Sequence, residues 1–255
     1  MTYRKLLGCI LLLCFFISHE SFAISHEDFV RNFHPVIALG TGTAFTSQTG
    51  RNQNFPIQNP LTDQFYQYHP TNSTQAASFV DFFIGNEFTL TDKLLLQAGI
   101  NYNQTGSLSS HGTLIQGIDM GSANVYQYHF SIITRQLLLM GKLLTTFKQY
   151  FHPYVMAGMG AAFNNANNFY TSVPPLLTFT KMYSHNMTTS FSYALGLGLD
   201  TDLTNNLRFG IGYRFTNLGK IQTGSATIDN NSISGTLSQS HMNANLLLAQ
   251  LELIF

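Results

Sequence analysis

The final segment of the chain alternates apolar and polar residues with a period of two. One face is wholly apolar and ends on an aromatic residue: Leu247, Ala249, Leu251, Leu253 and Phe255. Gln250 and Glu252 lie on the other face. Because successive side chains of a β-strand point to opposite faces, the pattern predicts a strand with one apolar and one partly polar face. A helix would give no continuous apolar stripe, so we expect a strand whose apolar face meets an apolar environment.

Seven earlier segments repeat this alternation, which gives eight predicted strands. They lie at about 35–45, 77–90, 94–103, 128–145, 154–164, 191–200 and 207–216. Three short turns alternate with four long polar connections, at about 46–76, 105–126, 165–190 and 217–241. An even strand number, strands of nine residues or more and this loop asymmetry predict an all-β fold, a transmembrane antiparallel up-and-down β-barrel. The first and last strands are expected to pair and leave no edge. A further hairpin within 165–190 would make ten strands, which is the alternative.

Composition supports a membrane barrel over a soluble one. Charged residues make up 9% of the chain and aromatic residues 13%, against roughly 25% charged residues in soluble domains. A soluble eight-stranded barrel would enclose its apolar residues, whereas here the large apolar residues share one face and the glycines and charges share the other. That second face suits a narrow lumen and the first suits lipid. The formal net charge is zero, so no electrostatic attraction to nucleic acid is expected.

The N-terminus has the features of an export signal. Arg4 and Lys5 precede an apolar run at 6–17, which is too short to span a bilayer, and small residues lead to a predicted cleavage site after Ala23. Both cysteines lie before this site, so the mature chain is expected to contain no disulfide. The predicted organisation is a signal peptide at 1–23, a periplasmic leader at 24–34 and the barrel at 35–255.

The polar faces of the predicted strands collect seven charged residues. They are Asp81, Glu87, Lys142, Asp200, Arg208, Arg214 and Glu252. Charges in a narrow lumen must be paired, so we expect an ion-pair network that plugs the barrel. Asp81 and Arg214 are expected nearer the loops than the group on the turn side, and the two groups need not touch. The alternative is a narrow small-solute channel that this network gates.

Histidine, serine and tyrosine residues are the candidate functional residues outside the charged set. His129 and Ser131 share one face of the fourth strand, but no acidic residue lies between Asp119 and Asp200 to orient a catalytic histidine. The histidines lack metal-ligand spacing, so no catalytic, metal or cofactor site is predicted.

Six tyrosines in loops or at strand ends predict an interfacial aromatic girdle or, alternatively, a contact surface for a ligand: Tyr66, Tyr68, Tyr126, Tyr128, Tyr170 and Tyr183.

Several short motifs occur in a fixed order along the mature chain. They are Pro153-Tyr154, Gly158-x-Gly160, Gly196-x-Gly198-x-Asp200, Gly210-x-Gly212-Tyr213 and the terminal Phe255. The set resembles small bacterial outer-membrane barrels, namely the OmpA-type transmembrane domain and the opacity-like surface proteins, over essentially the whole mature chain. The resemblance implies a monomeric eight-stranded barrel in the bacterial outer membrane. It also implies that the barrel-assembly machinery reads the C-terminal strand through Leu251, Leu253 and Phe255.

The expected function is that of a non-enzymatic structural or adhesive surface protein that acts through its long extracellular loops. The expected partners are outer-membrane lipid and lipopolysaccharide, the assembly machinery, and a host or envelope ligand bound by the loops. The alternative is a narrow small-solute channel, and a lipid A-modifying enzyme ranks third.

Overall fold

The computed structural model describes residues 33–48, 52–56, 65–71, 73–117, 124–172, 181–228, 231–233 and 235–255. This part of the chain is built from strands, and none of its residues belongs to a helix long and apolar enough to cross a membrane. The predicted cleavage site at Ala23 and most of the predicted leader lie outside the described residues.

Thirteen strands occur in the described ranges. In chain order they are β1 (Phe33–Gln48), β2 (Gln53–Pro56), β3 (Phe65–Pro70), β4 (Ser73–Thr91), β5 (Leu94–Thr105), β6 (Leu108–Gly117), β7 (Asn124–Thr145), β8 (Phe151–Ser172), β9 (Asn186–Asp202), β10 (Leu207–Gln222), β11 (Thr227–Ile228), β12 (Asn231–Ser232) and β13 (Ser238–Ile254).

Eight of these strands close into a ring. Its order is β1-β4-β5-β7-β8-β9-β10-β13, and β13 returns to β1. The closing pair is antiparallel, with Ile37 opposite Leu253 and Thr41 opposite Ala249. The predicted eight-stranded antiparallel barrel is therefore confirmed, and the ten-stranded alternative is wrong.

The two-residue alternation divides each wall of the barrel into an inner and an outer face. Large apolar side chains cover the outer face, and some are highly exposed: Leu39 65%, Leu139 67% and Phe191 67%. A continuous apolar surface of this kind on a soluble protein would be an aggregation site, whereas lipid solvates it. The outer face is thus the membrane-facing surface of the barrel.

Glycines on the inner face make room for one large ring. The side chain of Tyr154 on β8 lies over the neighbouring strands β9 and β10, where a Cβ on Gly198 would lie 2.4 Å from its Oη and a Cβ on Gly212 only 2.2 Å away. At Gly212 a larger side chain requires Tyr154 to move, and at Gly198 the backbone carbonyl of Ile211 also lies 2.4 Å from the Cβ position. The Gly-x-Gly spacing of the sequence is therefore a packing requirement of the lumen.

A second sheet region continues from the barrel on the loop side. β6 pairs with the first half of β7, β3 pairs with β6, and β2 pairs with β3. We call β2, β3, β6 and residues 124–132 of β7 the platform. The prediction of irregular loops at 46–76 and 105–126 is wrong for these strands, and β8 and β10 also extend past their predicted ends. Beyond the membrane the outer face is polar, so these strands lack the apolar outer face by which the others were recognised.

Two separate groups of buried apolar side chains fill the interior. The turn-side group includes Phe83, Leu138 and Met140, inside the membrane part of the barrel. The loop-side group is larger and rich in aromatic residues, and it joins the barrel mouth to the buried face of the platform. The platform therefore shares one hydrophobic core with the barrel mouth, and this core holds the platform to the barrel.

Candidate functional site: the lumen and the platform

One ion pair lies in the loop-side half of the lumen. Arg214 donates from Nη1 to Asp81 Oδ1 at 2.7 Å and from Nη2 to Asp81 Oδ2 at 3.2 Å. Asn101 and Asn103 each donate an amide hydrogen to the same carboxylate, at 2.8 and 3.3 Å. Arg214 is 1% exposed and Asp81 5%. Two-point contact and added amide donors are what a buried ion pair needs to offset its desolvation.

A second network lies toward the turn side. The Lys142 ammonium contacts carboxylates from two other strands, Glu252 and Asp200, the latter at 2.5 Å. The same ammonium lies 4.3 Å from the centroid of the Tyr154 ring. These contacts tie β7, β8, β9 and β13 together across the lumen, so the network braces opposite walls of the barrel.

Arg208 extends this network to the periplasmic mouth. Its Nη1 donates to Glu87 at 2.7 Å and its Nε donates to Asp202 at 2.8 Å. Asp202 in turn lies 2.8 Å from Nε2 of the buried His152. Gln97 donates to Glu87 at 2.9 Å, and to Glu252 of the Lys142 group at 3.0 Å.

The seven sequence-predicted charges are all buried, and the structure places them in two groups. Asp81 and Arg214 form one, and the other five belong to the turn-side network. The sequence alone did not assign His152, Asp202 and Gln97 to the charge network. Each of them nevertheless lies two positions from another inward-facing residue of the same strand, which is the signal that could have identified it. Between the two groups a cavity of about 10 Å³ remains, which is space for about one water molecule.

The tyrosines predicted to form a girdle are mostly in the platform core. Five are buried, and only Tyr170 is exposed. Within the core, the Tyr68 ring packs edge-on against Tyr128 at 5.2 Å and against Tyr183 at 5.8 Å. Burial raises the pKa of Tyr68 well above its usual range and that of Tyr183 to about 12. The girdle prediction is wrong for these five, because their side chains are buried in the loop-side core instead of facing lipid.

Other aromatic residues face outward near the loop-side margin of the membrane surface. They are Phe45, Tyr102, Phe163, Phe191, Tyr193, Tyr213 and Phe215. Two of their hydroxyls are bonded to neighbouring amides, Tyr213 to Asn245 at 2.5 Å and Tyr102 to Gln104 at 2.9 Å. An apolar ring with a polar tip suits the boundary between hydrocarbon and head groups. This set is the loop-side girdle.

The outer face of the platform carries the histidine that the sequence singled out. His129 is bonded to Ser109, with Nδ1 2.8 Å from Oγ, and lies directly opposite His111 on β6. Partial burial and the nearby His111 lower the pKa of His129. Ser131 shares this face but is not the hydrogen-bond partner. Within the described ranges no carboxylate contacts His129, and no cluster of three metal-ligating residues is found.

Comparison with known proteins agrees with this architecture. The family model described as "Outer membrane protein beta-barrel domain" matches residues 71–239. The chain is also 26% identical over 164 residues to a protein of Rickettsia bellii (strain OSU 85-389) named as a candidate adhesin, an alignment that covers 63% of this chain and 69% of that protein. A second protein with the same name, from R. bellii strain RML369-C, is 25% identical over the same length.

Three solved structures are similar at low sequence identity. Neisserial surface protein A (NspA) is 10% identical, covering 86% of this chain and 97% of its own, with a TM-score of 0.42. The outer-membrane protease OmpT of Escherichia coli is 10% identical, covering 93% and 99%, with a TM-score of 0.48. The attachment invasion locus protein Ail of Yersinia pestis is 10% identical, covering 86% and 98%, with a TM-score of 0.34.

An apolar outer wall, a charged and filled lumen and ring closure define an integral β-barrel of the bacterial outer membrane. Because the family model covers well over half of the chain, this protein belongs to the outer membrane protein beta-barrel domain family.

Proposed function

We propose that this chain is a non-enzymatic surface protein that adheres to host cells through the outer face of the platform, with the barrel as its closed anchor. One observation carries the proposal: the segment outside the membrane is a sheet over a buried aromatic core that it shares with the barrel mouth. A surface held in one conformation loses less entropy on binding than a flexible loop does. The candidate adhesins of R. bellii support the same function by similarity.

The outer face of the platform offers hydrogen-bonding groups across three paired strands. His69 on β3 lies opposite Thr113 on β6, and Thr113 lies opposite Gln127 on β7. These side chains are half-buried or exposed, and their alternating neighbours enter the core. His69, Thr113 and Gln127 can therefore be replaced without disturbing the aromatic packing beneath them.

A channel is the second candidate, and the lumen argues against it. The cavity between the two ion-pair groups has room for about one water molecule, and the aromatic core covers the loop-side end. The barrel in planar bilayers should give no steady unit currents. Steady currents that change when Lys142 or Arg208 is neutralised would establish the channel instead.

The proposed adhesive function requires no catalytic residue. His129 has a hydroxyl partner, Ser109, but an acyl-transfer site also needs an acidic group to orient the histidine. Mass spectrometry of lipid A from cells with and without the protein should give identical spectra. A modified lipid A species that appears only with the protein would contradict the non-enzymatic proposal.

Adhesion is tested with laboratory E. coli cells that display the chain, counted on cultured epithelial cells after washing. The test variant replaces His69, Thr113 and Gln127 with alanine. The matched control replaces Asp92, Lys93 and Lys148, all in turns on the opposite side of the barrel, with alanine. We expect the parent and the control to bind and the platform variant to bind much less.

Unheated gels establish that all three barrels are folded, since a closed barrel should migrate faster before boiling. Binding of the parent at the level of cells without the protein would contradict the adhesive function. Equal binding of the parent and the platform variant would contradict the assignment to this face.

A further inference from the structure

The outer wall of the barrel carries very few charged side chains. In the described parts of the eight ring strands, leaving histidine aside, only Arg135 on β7 and Lys220 on β10 point outward. Both are basic and exposed; Arg135 lies at the middle of β7, three residues past the platform, and Lys220 lies near the loop end of β10. Every other charge in these strands faces the lumen or lies at a strand end. Two positively charged side chains on a membrane-facing surface cost free energy unless an anionic group lies beside them.

Both cations adjoin the loop-side girdle. Arg135 is in register with Phe163 of the girdle. Lys220 lies opposite Ser190, which donates to the Lys220 carbonyl at 3.2 Å and precedes Phe191 of the girdle. Girdle aromatics mark the level at which hydrocarbon gives way to head groups. The loop side of an outer-membrane barrel faces the outer leaflet, so the two cations lie at outer-leaflet head groups.

Neither cation is neutralised by the protein within the described ranges. Arg135 donates from Nε to Gln104 Oε1 at 3.2 Å, which fixes the side chain, and its Nη1 and Nη2 have no acceptor there. The Lys220 ammonium likewise has no acidic partner in that part of the chain. An arginine held by a neutral amide presents the remaining edge of its fork, which matches two phosphate oxygens.

We propose that Arg135 and Lys220 bind the two phosphates of one lipopolysaccharide molecule in the outer leaflet. β7 and β10 are separated by three strand spacings of about 4.8 Å, or about 14 Å across the wall. Two cations at such a separation suit a head group with phosphates at both ends of a disaccharide. A glycerophospholipid has one phosphate and can engage only one of them. Phe163 and Thr189 lie on the strands between the cations and face the sugar-bearing layer.

The experiment measures binding of defined lipids to the purified full barrel in detergent by native mass spectrometry. The probes are bisphosphorylated lipid A, monophosphorylated lipid A and phosphatidylglycerol. The variants are Arg135→Gln and Lys220→Gln, and the control is Lys148→Gln, which makes the same charge change in a turn on the periplasmic side. Unheated gels verify that each variant is folded.

We expect each loop-side variant to lower the affinity of the barrel for bisphosphorylated lipid A by about tenfold, the loss typical of one charged hydrogen-bonding group. The affinity of the control should stay within about twofold of the parent. With monophosphorylated lipid A only one of the two substitutions should matter, because each cation takes one phosphate. The proposal is overturned if both variants bind bisphosphorylated lipid A as the control does. It is also overturned if phosphatidylglycerol binds as tightly and responds equally, since the site would then be a general anionic one.

Discussion

Removing the carboxylate of Asp81 should destabilise the barrel strongly because it leaves Arg214 charged and buried. Asp81→Asn keeps the side-chain shape but abolishes the two-point ion pair at 2.7 and 3.2 Å. Arg214 is 1% exposed and would retain a neutral acceptor in Asn101 at 3.2 Å. Breaking a buried pair from one side costs about 3–5 kcal/mol. We expect a loss of this size in the free energy of unfolding.

The measurement is a urea titration of the barrel in lipid vesicles, with the folded fraction read from unheated gels. The double variant Asp81→Asn/Arg214→Gln removes both charges and should lie within about 2 kcal/mol of the parent. The control Asp92→Asn, in an exposed turn, should leave the midpoint unchanged. A single variant as stable as the parent, or a double variant no more stable than the single one, would refute the role given to this pair.

Three further outcomes are expected. Gly212→Val should impair folding because its Cβ would meet Tyr154 Oη at 2.2 Å, and Tyr154→Ala in the same chain should restore part of the folded fraction on unheated gels; no rescue would contradict the packing argument. Deletion of Phe255 should lower the amount of barrel inserted in cells more than it changes the stability of inserted barrel, and normal insertion would exclude an assembly role. The folded platform lowers the pKa of His129, so it binds fewer protons than the unfolded chain and should lose stability as the pH falls below about 6.5. After correction for the intrinsic exchange rates, hydrogen exchange of β6 amides should accelerate on acidification, and less so in His129→Gln; a corrected rate independent of pH would be the contrary result.

The membrane part of the barrel could be predicted because one physical rule governs every residue in it. A strand between lipid and a narrow lumen must alternate, so Leu251 and Glu252 on opposite faces already indicate the environment on each side. The same parity placed Lys142 and Glu252 in one lumen. It could not establish which carboxylate meets which cation, because pairing across the lumen depends on strand tilt and stagger.

The platform could not be predicted because its outer face is polar and its inner face is broken by short polar residues. Thr113 and Gln127 belong to strand segments whose outward side chains are mostly polar, and Tyr68 and Tyr128 lie in the core beneath them. In the sequence these segments resemble polar loops with scattered tyrosines. Long-range pairing of β3 with β6, rather than local alternation, turns them into a sheet.

Closure of the ring between β1 and β13 is the claim on which both the anchor and the platform depend. Thr41 and Ala249 lie opposite each other on the outer face, and both cysteines of the chain precede the predicted cleavage site at Ala23. In a chain whose Cys9 and Cys14 are replaced by serine, the pair Thr41→Cys/Ala249→Cys should cross-link within one molecule under mild oxidation in the membrane. The shifted pair Thr41→Cys/Leu253→Cys, displaced by four residues, should not cross-link. Failure of the first pair, or equal cross-linking of both, would contradict the closed eight-stranded barrel.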